Sequence, residues 1–155
     1  MQLIVAVDHS WAIGREGRLL YQIPEDLHRF KELTWGKAIV FGRRTMDTFP
    51  GGSPLPGRRN YVLTHHPETL PPNAIGVDSL EQLDADIIVV GGALVYEALL
   101  PRCTVAYVTK IDDDGEGDAF FPNLDAHPDW QLTEQSEPKV WNGLTYRFCK
   151  YEQKR

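Results

Sequence analysis

The chain has 155 residues, 42% of them apolar and 25% charged, which suits one globular domain with a sizeable core. Its formal net charge of -6 argues against a general nucleic-acid-binding protein, because such binding needs a basic surface that displaces counterions. The longest apolar runs are far too short for a membrane span and the N-terminal segment lacks the features of a secretory signal, so we expect a cytoplasmic protein with no membrane or nucleic-acid partner.

Continuous runs of isoleucine and valine predict strands that are buried on both faces of a mostly parallel sheet. They lie at residues 3–7 (LIVAV), 38–42 (AIVFG) and 86–92 (DIIVVGG). The second and third runs lead directly into the helical segments RRTMDTF and ALVYEALL, an order typical of strand–helix crossover units. Further strands are predicted at 60–64, 73–77 and 104–111. The predicted class is therefore α/β, in one domain that spans residues 1–155.

Two segments near the end of the chain, WQLTEQS and LTYRFCKYE, flank the dipeptide Asn142-Gly143. Asn-Gly is a preferred dipeptide of tight hairpin turns. We therefore expect a closing antiparallel pair of strands in this region.

One carboxylate stands in an unusual place, within the segment LLYQIPEDLHRF (19–30). Pro24 is typical of a first helical residue, and at about 100° per residue Asp26 then projects between Phe30 and Leu33, inside an apolar arc. Two interpretations remain open. An acidic residue in the first turn stabilises the helix dipole, whereas a carboxylate among apolar side chains has a raised pKa and is a candidate for proton chemistry or for binding a cationic ligand.

Two glycine-containing junctions between strand and helix are candidate phosphate sites. Gly91-Gly92 offers backbone N–H groups at the positive end of a helix, and the segment 42–45 (GRRT) repeats the arrangement with two guanidinium groups. Residues 36–66 carry a net charge of +4 and the remainder -10, which suits an anionic ligand. Structural turns and a solvated basic surface are the alternatives. Two such junctions are what a dinucleotide needs in an open α/β sheet.

The acidic segment 111–122 (IDDDGEGDAFFP) has the composition of a calcium loop but not its spacing. An EF-hand needs a glycine at its sixth position and a glutamate at its twelfth, whereas this segment has Gly115 and Gly117 and ends in Pro122. We therefore predict a solvated loop and no metal site.

Seven segments carry a resemblance to a known enzyme family. They are VAVDHSWAIG, IPEDLHRFKELT, GRRTMDTFP, PLPGRRNYVLT, VVGGALVYEALLP, VTKI and EGDAFFP. In this order and spacing, over essentially the whole chain, they resemble the motifs of dihydrofolate reductases. The resemblance implies a central, mostly parallel eight-stranded sheet with an antiparallel C-terminal strand, flanked by helices, and an adenosine-binding subregion at about 38–88. It also implies a monomer that reduces dihydrofolate to tetrahydrofolate with NADPH for thymidylate and purine synthesis, and that binds antifolate inhibitors.

The resemblance assigns Asp26 to the single acid of the pterin pocket, where it binds the amidine-like edge of the ring with support from Thr109. Arg58 matches the arginine that binds the α-carboxylate of the folate glutamate, and His28 lies where some relatives meet that tail. The other positions that match the substrate pocket are Ile4, Val5, Ala6, Leu27, Phe30, Phe49, Leu55, Val90 and Tyr96.

The resemblance also assigns a binding site for NADPH. Arg43, Thr64 and His65 match the cluster around the adenosine 2′-phosphate, which accounts for the basic stretch. The positions that match the nicotinamide and the remaining phosphates are Arg44, Thr45, Gly91, Gly92, Ala93, Leu94 and Val95. Further cofactor positions are Ala6, Ile13, Gly14, Leu19, Gly42 and Leu63.

The chain departs from the family pattern in the segment 14–21, which closes over nicotinamide in the family. Where the family usually has Leu/Met-Pro-Trp, this chain has Leu19-Leu20-Tyr21. The N–H of the family's tryptophan helps to hold a water near the acid, and a tyrosine hydroxyl takes that role only with altered geometry. We therefore place Tyr21 with Asp26 and Thr109 in the catalytic group, and we expect the loss of proline to free the loop.

The implied mechanism is direct hydride transfer between stacked nicotinamide and pterin rings. In the family geometry Asp26 is too far from the ring nitrogen to touch it, so water delivers the proton while the carboxylate charge favours the protonated pterin. Two rival functions remain. A related reductase of riboflavin synthesis would have no use for Arg58, because its substrate lacks a glutamate tail, and a non-catalytic NADPH-binding module would have no need of an inward acid.

Overall fold

Strands and short helices alternate along the computed structural model, which describes residues 1–154. Arg155, the last residue of the predicted domain, lies outside the described residues. The strands are β1 (Gln2–Val7), β2 (Ala12–Arg15), β3 (Arg18–Leu19), β4 (Ala38–Gly42), β5 (Arg59–Leu63), β6 (Ala74–Val77), β7 (Ile88–Gly91), β8 (Val105–Ile111), β9 (Ala119–Phe120), β10 (Trp130–Gln135), β11 (Lys139–Trp141) and β12 (Leu144–Gln153). The α-helices are α1 (Pro24–Thr34), α2 (Arg43–Met46) and α3 (Ala93–Leu99). Single-turn 3-10 helices lie at Pro50–Gly52, Pro67–Thr69, Leu80–Gln82 and Leu100–Arg102.

The central sheet has the strand order β10-β12-β8-β1-β7-β4-β5-β6. Parallel pairing runs without interruption from β8 through β1, β7, β4 and β5 to β6. β12 is antiparallel to both of its neighbours, β8 and β10. The predicted mostly parallel eight-stranded sheet with an antiparallel C-terminal strand is therefore confirmed.

Side-chain alternation along the strands divides the core into two layers. On β1, Leu3, Val5 and Val7 pack in the layer that contains α3, whereas Ile4 packs in the layer that contains α1 and α2. The central strands are covered on both faces, which is why their sequences are continuous apolar runs and not alternating ones. The site described below lies on the α1 side of the sheet.

The helices are shorter than the sequence pattern predicted, although α1 begins at Pro24 as expected. The predicted helical segment after β4 continued beyond Met46, but α2 ends there. Phe49 precedes Pro50 and is extended, with φ -76° and ψ 158°, because the proline ring disfavours a helical conformation in the residue before it. No helix within residues 1–154 has the length and apolar character required to cross a membrane.

The Asn142-Gly143 turn joins different strands from those expected. Both residues have positive φ, 49° and 79°, as a type I′ hairpin turn requires, but the turn connects β12 to the short β11. The segment WQLTEQ forms β10, which pairs with β12 along its other edge. The predicted antiparallel pair is therefore confirmed, while β11 was missed because three residues are too few to show a periodic pattern.

Candidate active site

Asp26 and Thr109 lie at the centre of the candidate site, where α1 meets β8. The Thr109 hydroxyl donates a hydrogen bond to Oδ1 of Asp26 at 2.5 Å. Thr109 is buried, Asp26 is half-buried, and Ala6 of β1 is the register partner of Thr109. The inward orientation expected for Asp26 is confirmed, since its carboxylate reaches the sheet instead of solvent at the helix end.

Burial is the largest influence on the Asp26 carboxyl, and it raises the pKa of Asp26 above that of an ordinary aspartate. The Thr109 hydrogen bond and the charge of Arg29 both lower this pKa, but together they do not offset the loss of solvation. Arg29 lies with its guanidinium carbon 4.5 Å from the centre of the Phe148 ring. The ionised form of Asp26 is therefore disfavoured by burial, and a cationic ligand would stabilise it.

An apolar wall continues from the Asp26 site on the α1 face of the sheet. Leu27, the residue after the acid, leaves 48% of its surface exposed and offers an apolar face beside the carboxylate. An exposed apolar surface next to a buried polar group is typical of a pocket for a flat heterocyclic ligand. The wall brings together five of the predicted substrate positions: Ile4, Phe30, Phe49, Leu55 and Val90.

Two predicted substrate positions, Val5 and Tyr96, have side chains in the opposite core layer. Strand alternation turns Val5 away from α1, and Tyr96 belongs to α3 on the far face of the sheet. The Tyr96 hydroxyl donates to the backbone carbonyl of Ile4 at 2.6 Å. The resemblance assigns both positions to the substrate pocket, and that assignment stays a prediction. The Tyr96 hydroxyl thereby helps to fix the backbone of β1 at Ile4.

Arg58 is anchored at the opposite end of α1 from Asp26. Its Nε donates to Thr34 Oγ1 at 3.0 Å and its Nη1 donates to the carbonyl of Pro56 at 2.8 Å. Nη2 and the second Nη1 hydrogen are left to bind a carboxylate. His28, the other predicted tail residue, is exposed and lies 2.8 Å from Glu32. Arg58 is thus held in place before any ligand arrives, while His28 has a competing partner.

The segment 14–21 is held against the acidic loop that the sequence predicted to be merely solvated. Asp118 accepts a hydrogen bond from the backbone N–H of Glu16 at 3.0 Å, and Asp113 accepts one from the Tyr21 hydroxyl at 2.7 Å. β2 pairs with β3 and with β9, so a small second sheet links the two loops. The Tyr21 hydroxyl thus donates its proton to Asp113 and not toward Asp26. The expected role of Tyr21, to hold a water near Asp26, stays a prediction. The other predicted residues in or next to this segment, Ile13 and Gly14 on β2 and Leu19 on β3, lie in the same sheet.

Asp8 stabilises the loops beside the site, and it was not predicted from the sequence. It is 3% exposed, and its carboxylate accepts hydrogen bonds from the backbone N–H groups of Ser10, Ala12 and Gly115, each at 2.9 Å. The bond to Ser10, two residues on, is the pattern of an Asx turn, so an aspartate directly after a buried strand was the available signal. Asp8 ties the end of β1 to the acidic loop.

The two glycine-containing junctions lie side by side, because β4 and β7 are neighbours and Phe41 pairs with Gly91. The peptide bond between Gly91 and Gly92 is cis, and a Cβ atom at Gly92 would lie 3.1 Å from Oγ1 of Thr45. A side chain at Gly92 would therefore crowd Thr45 of α2. Leu94 is 81% exposed at the first turn of α3, whereas Val95 is buried in the core. The remaining predicted positions at this edge are Gly42 and Leu63, which are register partners, and Ala93.

The predicted 2′-phosphate cluster lies at the outer part of the same sheet edge. Arg43 and Arg44 begin α2 and are exposed, and Thr64 and His65 directly follow β5. Arg43 forms an ion pair with Asp47 at 3.1 Å. Thr64 Oγ1 accepts a hydrogen bond from the backbone N–H of His66 at 3.1 Å. These basic side chains are accessible to a phosphate, and they are also exposed to solvent.

Residues 1–153 match the family model described as dihydrofolate reductase. The dihydrofolate reductase of Mycobacterium tuberculosis is 39% identical, over 96% of this chain and 95% of that protein, and that of Bacillus subtilis is 35% identical, over 99% and 95%. The solved structure of dihydrofolate reductase from Enterococcus faecalis, complexed with NADP(H) and RAB-propyl, superimposes with a TM-score of 0.87 at 33% identity and covers 99% of this chain and 96% of that one. Together with the Asp26–Thr109 pair and the paired helix starts, this similarity shows that the chain belongs to the dihydrofolate reductase family.

Proposed function

We propose that this protein transfers a hydride from NADPH to 7,8-dihydrofolate and releases tetrahydrofolate. The observation that carries the assignment is the hydrogen bond from buried Thr109 to Asp26, at one end of an apolar wall. Membership of the dihydrofolate reductase family supports the same reaction, and the E. faecalis relative is a complex with NADP(H). The enzyme is an NADPH-dependent oxidoreductase that supplies one-carbon metabolism and is a target of antifolates.

The residues at the paired helix starts fit NADPH. Gly91 and Gly92 approach Thr45 so closely that a Cβ atom at either position would crowd it, and without side chains their backbone N–H groups are left accessible to a phosphate. Arg43 and Arg44 supply guanidinium groups within the same sheet edge, and we assign Arg43, with Thr64 and His65, to the 2′-phosphate. When bound, NADPH supplies the hydride. The protein's part is to orient the cofactor and to exclude water.

Asp26 binds the pterin ring in this proposal. Thr109 occupies one acceptor position of Oδ1, so the remaining lone pairs of the carboxylate accept hydrogen bonds from the amidine-like edge of the ring. Because burial raises the pKa of Asp26, a ligand that carries or gains positive charge relieves the cost of its ionised form. The carboxylate therefore favours the protonated pterin, which is the form that accepts a hydride most readily.

The proton itself comes from water, since Asp26 holds the far edge of the ring and does not reach the nitrogen beside the reacting carbon. The transferred hydride and this proton together balance the reduction of one carbon–nitrogen double bond. Thr109 has a positioning role, because it fixes the orientation of the carboxylate without contacting the reacting atoms. We keep Tyr21 as a candidate for holding the water, in competition with its bond to Asp113.

Arg58 separates this function from its nearest rival. Its free Nη2 group is matched to a carboxylate, and dihydrofolate carries one on its glutamate tail, whereas the ribosylated aminopyrimidine of riboflavin synthesis has none. The non-catalytic alternative has no role for a buried acid held by Thr109. We therefore assign the pocket to dihydrofolate and to inhibitors that imitate its ring.

The test is to mix the purified protein with NADPH and dihydrofolate and to follow the near-ultraviolet absorbance of the reduced cofactor. We expect the absorbance to fall only when dihydrofolate is present. A fall with the aminopyrimidine alone would identify the riboflavin-type reductase, and binding of NADPH without turnover of either compound would identify the non-catalytic module.

We further propose that the protein acts as a monomer in the cytoplasm, without nucleic-acid or membrane partners. The net charge of -6 supports the absence of nucleic-acid binding. Analytical ultracentrifugation at concentrations used for activity tests the monomer, and a sedimentation coefficient that rises with concentration would contradict it.

A further inference from the structure

Trp35 is a large aromatic residue in an exposed position at the end of α1. It caps the helix, and 52% of its surface is accessible to solvent. The outer edge of its six-membered ring lies close to Gly57, which has φ +75° and where a Cβ atom would lie 2.3 Å from the ring. The backbone N–H of Gly36 donates to the carbonyl of Gly57 at 2.7 Å. The Trp35 ring therefore packs against the segment that carries Arg58.

Two cations lie against this ring. The guanidinium carbon of Arg58 and the ammonium of Lys31 are each 5.3 Å from the ring centre. Within residues 1–154 neither cation forms an ion pair with a carboxylate. The ring face is thus a third contact of the Arg58 side chain, in addition to its hydrogen bonds to Thr34 and Pro56.

We propose that Trp35 is a positioning residue for substrate binding, which holds the Arg58 guanidinium so that its Nη2 edge faces the α-carboxylate of dihydrofolate. The inference rests on the function assigned to Arg58 above. An arginine held on three sides loses little side-chain freedom when the carboxylate binds, so the gain appears as affinity for substrate. A contact with the ring face leaves all the free N–H groups in the guanidinium plane available, which an additional carboxylate partner would not do.

The test compares Trp35→Leu and Trp35→Phe with Trp141→Leu, which changes an exposed tryptophan on β11 whose ring does not lie against Arg58. We expect Trp35→Leu to raise the KM for dihydrofolate about three- to tenfold with kcat unchanged, the range that a lost cation–π contact supplies. Trp35→Phe retains a weaker ring face and is expected to give a smaller increase. Trp141→Leu is expected to leave both constants at the parent values.

A second measurement separates positioning from general structure. A compact diaminopyrimidine inhibitor without a carboxylate is expected to bind the parent and Trp35→Leu equally, because it does not use Arg58. In an Arg58→Leu background, adding Trp35→Leu is expected to have no further effect on KM. Equal weakening of substrate and inhibitor, or additive effects in the double variant, would overturn the inference. If Trp35→Leu does not fold, Trp35→Phe and the inhibitor comparison decide the question.

The same set of variants distinguishes the two possible failures. If Arg58→Leu leaves the KM for dihydrofolate unchanged, the role assigned to Arg58 is wrong, and the role of Trp35 is wrong with it. If Arg58→Leu raises the KM but Trp35→Leu does not, the function stands and the inference about Trp35 alone is overturned.

Discussion

At the proposed pterin end of the site, Asp26 accepts a hydrogen bond from a buried threonine and Arg58 is tied to α1 and to its own loop. At the proposed adenosine end, Arg43, Arg44 and His65 are all exposed. Of these three, within residues 1–154, Arg43 alone has an ion-pair partner, and that partner is the exposed Asp47. The charges that we assign to substrate binding are thus held by hydrogen bonds within the protein, whereas those that we assign to cofactor binding are exposed to solvent.

The difference between these two ends illustrates two ways in which charged side chains can contribute to ligand binding. A buried group that is already positioned costs little to organise on binding, and its interaction is weakly screened by salt. An exposed arginine must exchange its neighbour and its hydration for phosphate, and its contribution is reduced by solvent. Mutations at the pterin end should therefore have larger effects than mutations at the adenosine end, and the following predictions test that order.

The largest effect is expected for Asp26→Asn, which keeps the volume of the side chain but removes its charge. Hydride transfer at neutral pH is expected to fall by about a hundredfold to a thousandfold, the scale for losing a preorganised electrostatic group. Binding of NADPH is expected to be unchanged. Activity is expected to recover partly on acidification, because solvent then supplies substrate that is already protonated. Single-turnover hydride transfer as a function of pH is the measurement, and the parent's rate and pH profile in this variant would refute the role.

The same variant also tests the cost of the buried charge. Because the pKa of Asp26 is raised in the folded state, the folded protein binds a proton more readily than the unfolded chain, and stability contributed by this group declines as pH rises from the ordinary aspartate value through the raised one. Asparagine does not ionise, so Asp26→Asn does not lose stability in this way as the pH rises. Its midpoint of thermal unfolding at neutral pH is therefore expected to equal or exceed that of the parent. A large drop would show that the acid has a structural role.

Arg58→Leu is expected to have the next largest effect. Charge-assisted hydrogen bonds to a carboxylate contribute about 1.5 to 3 kcal/mol, so the KM for dihydrofolate is expected to rise by about ten- to a hundredfold. Affinity for a diaminopyrimidine antifolate without a glutamate is expected to change little. Inhibition constants measured beside KM provide the comparison, and a comparable loss for both ligands would mean that Arg58 maintains the loop instead of binding substrate.

Arg43→Ala tests the adenosine end and is expected to have a smaller effect. The exposure of Arg43 and its pair with Asp47 reduce its contribution, so we expect NADPH to bind about tenfold more weakly while NADH binding is nearly unchanged. The loss is also expected to shrink as salt is added, because the contact is exposed. Titration with both cofactors at two salt concentrations is the measurement. Equal losses for both would contradict the assignment to the 2′-phosphate.

The smallest effect is expected for Tyr21→Phe, which removes the bond to Asp113. One hydrogen bond contributes about 1 kcal/mol, so exchange of the backbone amides in residues 14–21 is expected to quicken severalfold, as measured by hydrogen exchange. Asp113→Ala is expected to give the same change, and the double variant no more. If Tyr21 instead holds a water near Asp26, Tyr21→Phe slows single-turnover hydride transfer and Asp113→Ala does not.

The elements that were predictable from the sequence are those whose signals are local. The continuous Ile/Val runs of β1, β4 and β7 indicated strands buried on both faces, and the inward position of Asp26 followed from the turn angle of a helix that begins at Pro24. The clustering of glycine and arginine after β4 and β7 followed from topology, because parallel strands end at the same edge of a sheet.

The missed features are contacts between segments that are distant along the chain. Tyr21 and Asp113 are 92 residues apart, and Asp8 and Gly115 are 107 residues apart. No periodic pattern encodes such a pair, because each partner by itself resembles an ordinary polar loop residue. The side-chain position of Val5 follows from alternation along β1, which sends neighbouring residues to opposite core layers.

The central position of β1 has a consequence for the order in which the sheet assembles. β1 comes first in the chain, yet Leu3 pairs with Val89 of β7 and with Ala106 of β8. One edge of the strand therefore stays unpaired until the chain has extended through β7 and the other until it has extended through β8, and closing such long loops slows folding. During synthesis the run LIVAV is an exposed apolar strand with two open edges, which is a template for aggregation until its partners arrive.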